Sequence, residues 1–205
     1  QGPEEAGQML PGGGRDMSWR EMLCQKKFYG MCAMLLCGGL SGMMVISSAS
    51  DMAQVEAGFS PAAAALMVSV LSLFNAGGRA SAGILSDKLG RIGTLSLVFP
   101  ISVAALCALF FFGQDSMAVF AVSIALVGAC FGALMGIFPG FTADEFGQRN
   151  NTVNYGILLF GFALSGMLGP QVASWVMSGT GSYRSAFLIA AVVAQLCKYL
   201  AQGRG

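Results

Sequence analysis

Apolar residues in this chain gather into six long runs, approximately Phe28–Ser48, Pro61–Leu85, Thr94–Phe112, Met117–Phe138, Val153–Met177 and Ser182–Leu200. Each is close to the ~20 residues that a helix needs to cross a bilayer. The polar links between them are short, so neighbouring helices are predicted to pack antiparallel. The pattern gives an all-α fold class: a polytopic membrane protein whose residues 19–205 form a domain of six transmembrane helices. Gln195 and Lys198 interrupt the last run, but Lys198 lies within one turn of its end, where a lysine can snorkel to the interface. Residues 1–18 have the Gly, Pro, Glu, Gln and Asp content of a linker-like segment. They lack the charged-then-apolar order of a signal peptide, so the first run is predicted to be a retained helix.

Lysine and arginine in the links add an orientation. Arg15, Arg20, Lys26 and Lys27 precede the first run, Lys88 and Arg91 fill the second link, and Arg149 stands in the fourth. The first link holds Asp51 and Glu56 without a cation, and the third only Asp115. Arg184 in the fifth link is an exception, and Arg204 sits in the tail beside Lys198. The alternation places both termini in the cytoplasm of a multi-pass integral protein, with the plasma membrane as the expected location. Asn150-Asn151-Thr152 matches a glycosylation acceptor, but on a cytoplasmic link it reads as the polar start of the fifth helix.

Composition narrows the function. The chain is 55% hydrophobic and 10% charged, whereas soluble domains carry about 25% charged residues. A net charge of +1 excludes nucleic-acid binding through a basic surface. With no histidine and no Cys-x-x-Cys pair among six cysteines, no metal site and no cofactor are expected. The cysteines and the thirteen methionines read as buried apolar filler. Gly38-Gly39-Leu40-Ser41-Gly42 and Gly77-Gly78-Arg79 follow no strand and precede no Gly-Lys-Ser/Thr, so neither is a phosphate loop. No nucleophile–base pair stands out, and an enzyme is not expected.

Two features remain inside the runs. Arg79 precedes Asp87 by ~12 Å of helix rise. A cation at that depth costs ~2.5–3.5 kcal/mol, which marks it as a functional-site candidate. Its guanidinium offers a bidentate fork for a carboxylate; the structural alternative is a buried acid partner, and none of the six runs contains an Asp or Glu. Asn75 lies one turn earlier on the same face and could orient it. The second feature is glycine. Gly128, Gly132, Gly136 and Gly140 form a stripe for close backbone approach that serves static packing or sliding equally well. Gly38 and Gly42 repeat the device on the first helix. Gly161, Gly166 and Gly169 with Pro170 make the fifth bendable.

Between the second and third runs stands Gly83-x-x-x-Asp87-Lys88-x-Gly90-Arg91. The spacing suits a tight charged turn: Gly83 lets the helix end approach a neighbour, Gly90 allows the turn, and Asp87 can face the positive end of an adjacent helix. Lys88 and Arg91 hold the turn on the cytoplasmic side. The motif resembles the loop signature of the major facilitator superfamily. Further stretches are similar to its oxalate/formate antiporter and lactate-permease-like branch: Trp19 to Leu23, Phe28-Tyr29, Gly42 to Ile46, Asn75 to Arg91, Phe141 to Gly147, Asn154-Tyr155-Gly156 and Gly166 to Pro170.

The resemblance implies the C-terminal six-helix half of a twelve-helix carrier. The partner would be the N-terminal half, or a second copy if the chain is a half-size carrier. It further implies that Arg79 binds the substrate carboxylate and that the charged turn latches the two halves. Asn154 and Tyr155 enter the fifth helix near the cytoplasm and are candidate gate or capping residues. Oxalate carriers of this branch carry a lysine about two turns after that asparagine; here the position is Phe162, which puts oxalate in doubt, leaves it only as a further candidate, and offers the substrate an aromatic wall. The expected function is secondary transport of a small organic anion, a monocarboxylate such as lactate, pyruvate or formate, by alternating access. The alternative is a transport-inactive membrane receptor or scaffold that keeps the fold.

Overall fold

The computed structural model describes residues 16–202, with side chains as far as residue 196. Residues 1–15, the Lys198 side chain and Arg204 lie outside what is described. The described residues form α1 (Trp19–Leu23), α2 (Lys26–Ile46), α3 (Ala49–Ala57), α4 (Pro61–Leu89), α5 (Arg91–Phe112), α6 (Met117–Phe146), α7 (Asn151–Thr180) and α8 (Arg184–Gln202), with no strand among them. Five of these, α2, α4, α5, α6 and α7, are long and apolar enough to cross a membrane. The sixth run becomes α8, 19 residues long with a shorter described apolar stretch, Arg184–Leu196. It lies along α5 and α2.

Helix ends follow local chemistry. Ser60 caps α4 by accepting from the Ala63 amide, and Pro61 takes the first turn, where its missing N–H costs nothing. α4 and α5 are joined by Gly90 alone, with φ of 74°, a region that glycine enters without penalty. α6 and α7 run 30 residues each, about 45 Å, so their end turns project beyond a hydrocarbon core of ~30 Å. α6 continues eight residues past the predicted end at Phe138, and this extension carries Asp144 and Glu145.

The first link is not a loop. Residues 49–57 form α3, which buries Ala49, Met52, Ala53, Glu56 and Ala57. The spacing of these positions is the i, i+3, i+4, i+7 stripe of an amphipathic helix, diluted by Asp51 and Gln54. At the other end α1 is fixed by a reciprocal capping box between Ser18 and Glu21.

The helices pack chiefly as the pairs α4/α6, α2/α7 and α5/α8. Two apolar cores fill the bundle. One, with Met22, Leu95, Phe138 and Phe146, lies at the end carrying Lys27 and Arg91, hereafter the basic end. The other, with Met52, Leu106, Phe120 and Phe187, lies at the opposite end beside Glu56.

Candidate functional site

The glycine stripe of α6 seats the helix that carries Arg79. A Cβ at Gly128 would lie 2.9 Å from the Leu71 carbonyl oxygen, and one at Gly136 would lie 2.7 Å from that of Arg79. A Cβ at Gly132 would collide with the Asn75 carbonyl. In return, Gly78 on α4 leaves room for the Ala129 carbonyl of α6. Leu71, Asn75 and Arg79 are therefore set by backbone contact on α6, one turn apart. Only small residues allow that approach.

With its backbone held, the Arg79 side chain is exposed and makes no ion pair or hydrogen bond among the described residues. Asn75 is half-buried beside it. Tyr155 on α7, also half-buried, lies within Coulombic reach of the Arg79 charge. Phe162, two turns farther along α7, is half-buried, with its ring centroid 6.0 Å from that of Phe131 on α6. The ring also packs against Gly39 of α2. The Arg79 charge therefore reaches Tyr155, and Phe162 stands two turns farther along the same side of α7.

The charged turn is organised around Arg91. Its Nε donates to Asp144 Oδ2 at 2.9 Å, and one Nη donates to Asp87 Oδ1 at 3.2 Å and, at closer range, to the Ser86 hydroxyl. Gly140, the last glycine of the stripe, leaves space for this guanidinium. Lys27 Nζ meets Glu145 Oε2 at 2.6 Å next to it. Two stretches that the sequence singled out separately, Gly83–Arg91 and Phe141–Gly147, are therefore one ionic cluster. Asp87 is engaged by Arg91, the first residue of α5. Lys88 is exposed without an ion pair among the described residues. Nothing in the chain lies within 4 Å of where a Gly83 Cβ would be, so that glycine faces open space.

Asn154 stands apart from Arg79. It is fully buried, and its Nδ2 donates to the Met17 carbonyl at 3.1 Å. Asn150 Nδ2 donates to the same carbonyl at 3.1 Å, the Arg149 amide to Asp16 Oδ1 at 3.1 Å, and the Met17 amide to the Phe146 carbonyl at 2.9 Å. These bonds clasp the lead-in to α1 onto the α6–α7 link, and the N-cap position of α7 is Asn150.

Sequence reasoning passed over Glu56, which it read as a loop acid. Glu56 is buried at 7% exposure and accepts from Gln114 Nε2 at 2.5 Å, from the Ser182 hydroxyl at 2.9 Å and from the Tyr183 amide. It joins α3 to two distant links. Burial, reinforced by Asp51 and Glu56, pushes the Tyr183 phenol above its ordinary range and keeps it neutral. Among the described residues no group of three or more His, Cys, Asp or Glu could hold a metal ion.

The sequence pattern of the Major Facilitator Superfamily matches residues 31–201. The chain belongs to that superfamily. Among curated relatives of this superfamily member, an uncharacterized MFS-type transporter, YhjX, of Escherichia coli K12 is 34% identical over 150 residues, covering 73% of this chain and 37% of the relative. The oxalate:formate antiporter of Oxalobacter formigenes is 25% identical over 91% of this chain and 44% of its own length. Monocarboxylate transporter 12 of Xenopus laevis is 25% identical over 71% of this chain and 32% of its own. The crystal structure of the E. coli fucose:proton symporter FucP superposes with a TM-score of 0.76 at 17% identity, over 91% of this chain and 44% of that one. That likeness speaks to the fold alone. The chain spans less than half the length of these proteins.

Proposed function

We propose that this chain supplies one six-helix half of a secondary carrier for small monocarboxylates, with Arg79 as the carboxylate-binding residue. The observation that carries the reading is the Arg79 side chain itself: exposed, unpaired among the described residues, and held by a backbone seated on the α6 glycine stripe. An arginine at membrane depth is costly unless it has a partner, and a carboxylate ligand is a partner with matching geometry. Tyr155 stands ready to share the anion, and Phe162 offers an apolar wall for a methyl or alkyl body. A dianion stripped of water needs about two compensating cations. Among the described residues this half offers one deep cation, Arg79, so lactate-like monoanions suit it better than oxalate. Relatives named as antiporter and monocarboxylate transporters fit a carrier of this chemistry.

In this reading the second wall of the site comes from another six-helix half, and the two rock about the midplane. The Arg91 cluster lies at the cytoplasmic side, as do both termini. The test is transport by the full-length protein. Arg79→Lys is expected to impair uptake severely, because a point charge replaces a fork, and lactate or pyruvate is expected to outcompete oxalate. Oxalate binding markedly tighter than every monocarboxylate tried would overturn the substrate assignment.

A further inference from the structure

A groove of about 480 Å³ opens between α2 and α7 at the basic end, lined by Leu23, Tyr29, Ala33, Leu36, Phe160 and Leu164 among others. Its size falls within the ~300–1,000 Å³ typical of small-ligand pockets, but its lining is almost wholly apolar, with the Tyr29 phenol and the Cys32 thiol as the side-chain exceptions. The one thiol that lines it, Cys32, is turned toward the Leu158 carbonyl at 3.7 Å. Leu164 follows Tyr155 by nine residues, about two and a half turns, so the groove lies on the opposite side of α7 from the Arg79 face. A second half that closes the Arg79 face leaves this side to lipid.

Helical spacing puts two cations beyond the outer end of the groove, with the exposed Glu21 between them in sequence. Lys26 precedes Tyr29 by three residues and Ala33 by seven, so it continues the groove's own stripe of α2 outward by one turn. Arg20 stands in the same relation to Leu23 on α1. Both are exposed, and neither makes an ion pair among the described residues, whereas the neighbouring Lys27 is taken by Glu145. Arg20 stacks on Trp19 at 5.0 Å, and Trp19 is of the aromatic type that settles at membrane interfaces.

We propose that this groove holds an acyl chain of an anionic phospholipid, with the phosphodiester against Lys26 and Arg20. The chain supplies the apolar body that the lining requires. The headgroup supplies the negative charge that two unpaired cations at the headgroup level attract. From the functional reading the proposal takes only that a second half meets the Arg79 face, and its test involves no transport.

The experiment is native mass spectrometry of the full-length protein, in which the second half covers the Arg79 face, released from detergent doped with equal amounts of phosphatidylglycerol and phosphatidylcholine of identical acyl chains. Retention of phosphatidylglycerol is expected to exceed that of phosphatidylcholine by about fivefold for each cation engaged. Lys26→Glu combined with Arg20→Glu, at exposed positions, is expected to abolish the preference while leaving some retention of both lipids. Ala33→Trp, which fills the groove, is expected to reduce retention of both, with helicity by circular dichroism as the folding control. Equal retention of the two lipids by the unaltered chain would overturn the proposal. So would undiminished retention by folded Ala33→Trp, or the absence of any retained lipid sensitive to these substitutions.

Discussion

Gly132 and Gly77 separate packing from propensity at the level of one residue. A methyl group at Gly132 would be driven into the Asn75 carbonyl, whereas one at Gly77 would meet nothing within 4 Å. Gly132→Ala is therefore expected to cost about 1–3 kcal/mol by overpacking. Gly77→Ala is expected to be neutral, or to gain up to about 1 kcal/mol in helix propensity. Thermal unfolding in detergent reads both, and equal melting temperatures would contradict the seating of α4 on α6. Glu56 gives a second residue-scale expectation. Replacing it with Ala removes the acceptor of three donors, among them the buried Tyr183 amide. The loss should be about 1–3 kcal/mol, visible as a lower melting temperature.

Among elements, the long helices were legible because each run of about twenty apolar residues has few alternatives to crossing a bilayer. Their ends were less so: α6 passes its apolar run by two turns because Ala143, Asp144 and Glu145 are good enough helix residues outside the lipid. α3 was missed although residues 49, 52, 53, 56 and 57 carry a helical period, since nine residues with two acids look like a link. The α6 glycines and the Asn75–Arg79 pair share a four-residue spacing, so a close contact was readable while its partner was not. Partners that join distant links, such as Glu56 with Ser182 or Asp16 with Arg149, leave no local mark in the chain. The Arg91–Asp144 bond is likewise visible only in three dimensions. Asp144 is 52% exposed and Arg91 24%, so a double-mutant cycle between Arg91→Ala and Asp144→Ala is expected to give a coupling of no more than about 1 kcal/mol. A far larger value would mean the cluster is more deeply buried in the complete protein.

The whole molecule has two chemically different ends, a basic end built around Arg91 and Lys27 and an opposite end built around Glu56. If the basic end is cytoplasmic, single cysteines placed at Asp51 and Asp115 in an otherwise cysteine-free full-length protein should react with an impermeant thiol reagent added outside cells. One at Lys88 should react only after permeabilisation. The reverse pattern would invert the proposed orientation. The clasp between Asp16–Met17 and the α6–α7 link also sets a clock on biosynthesis. Its partners lie 133 to 137 residues apart along the chain. At about 5–20 residues per second of synthesis, the lead-in waits roughly 7–27 s before the ribosome has made the groups that hold it. During that interval α1 has α2 to pack against but not α7, and closure of the clasp marks the moment when α6 and the start of α7 have both been delivered.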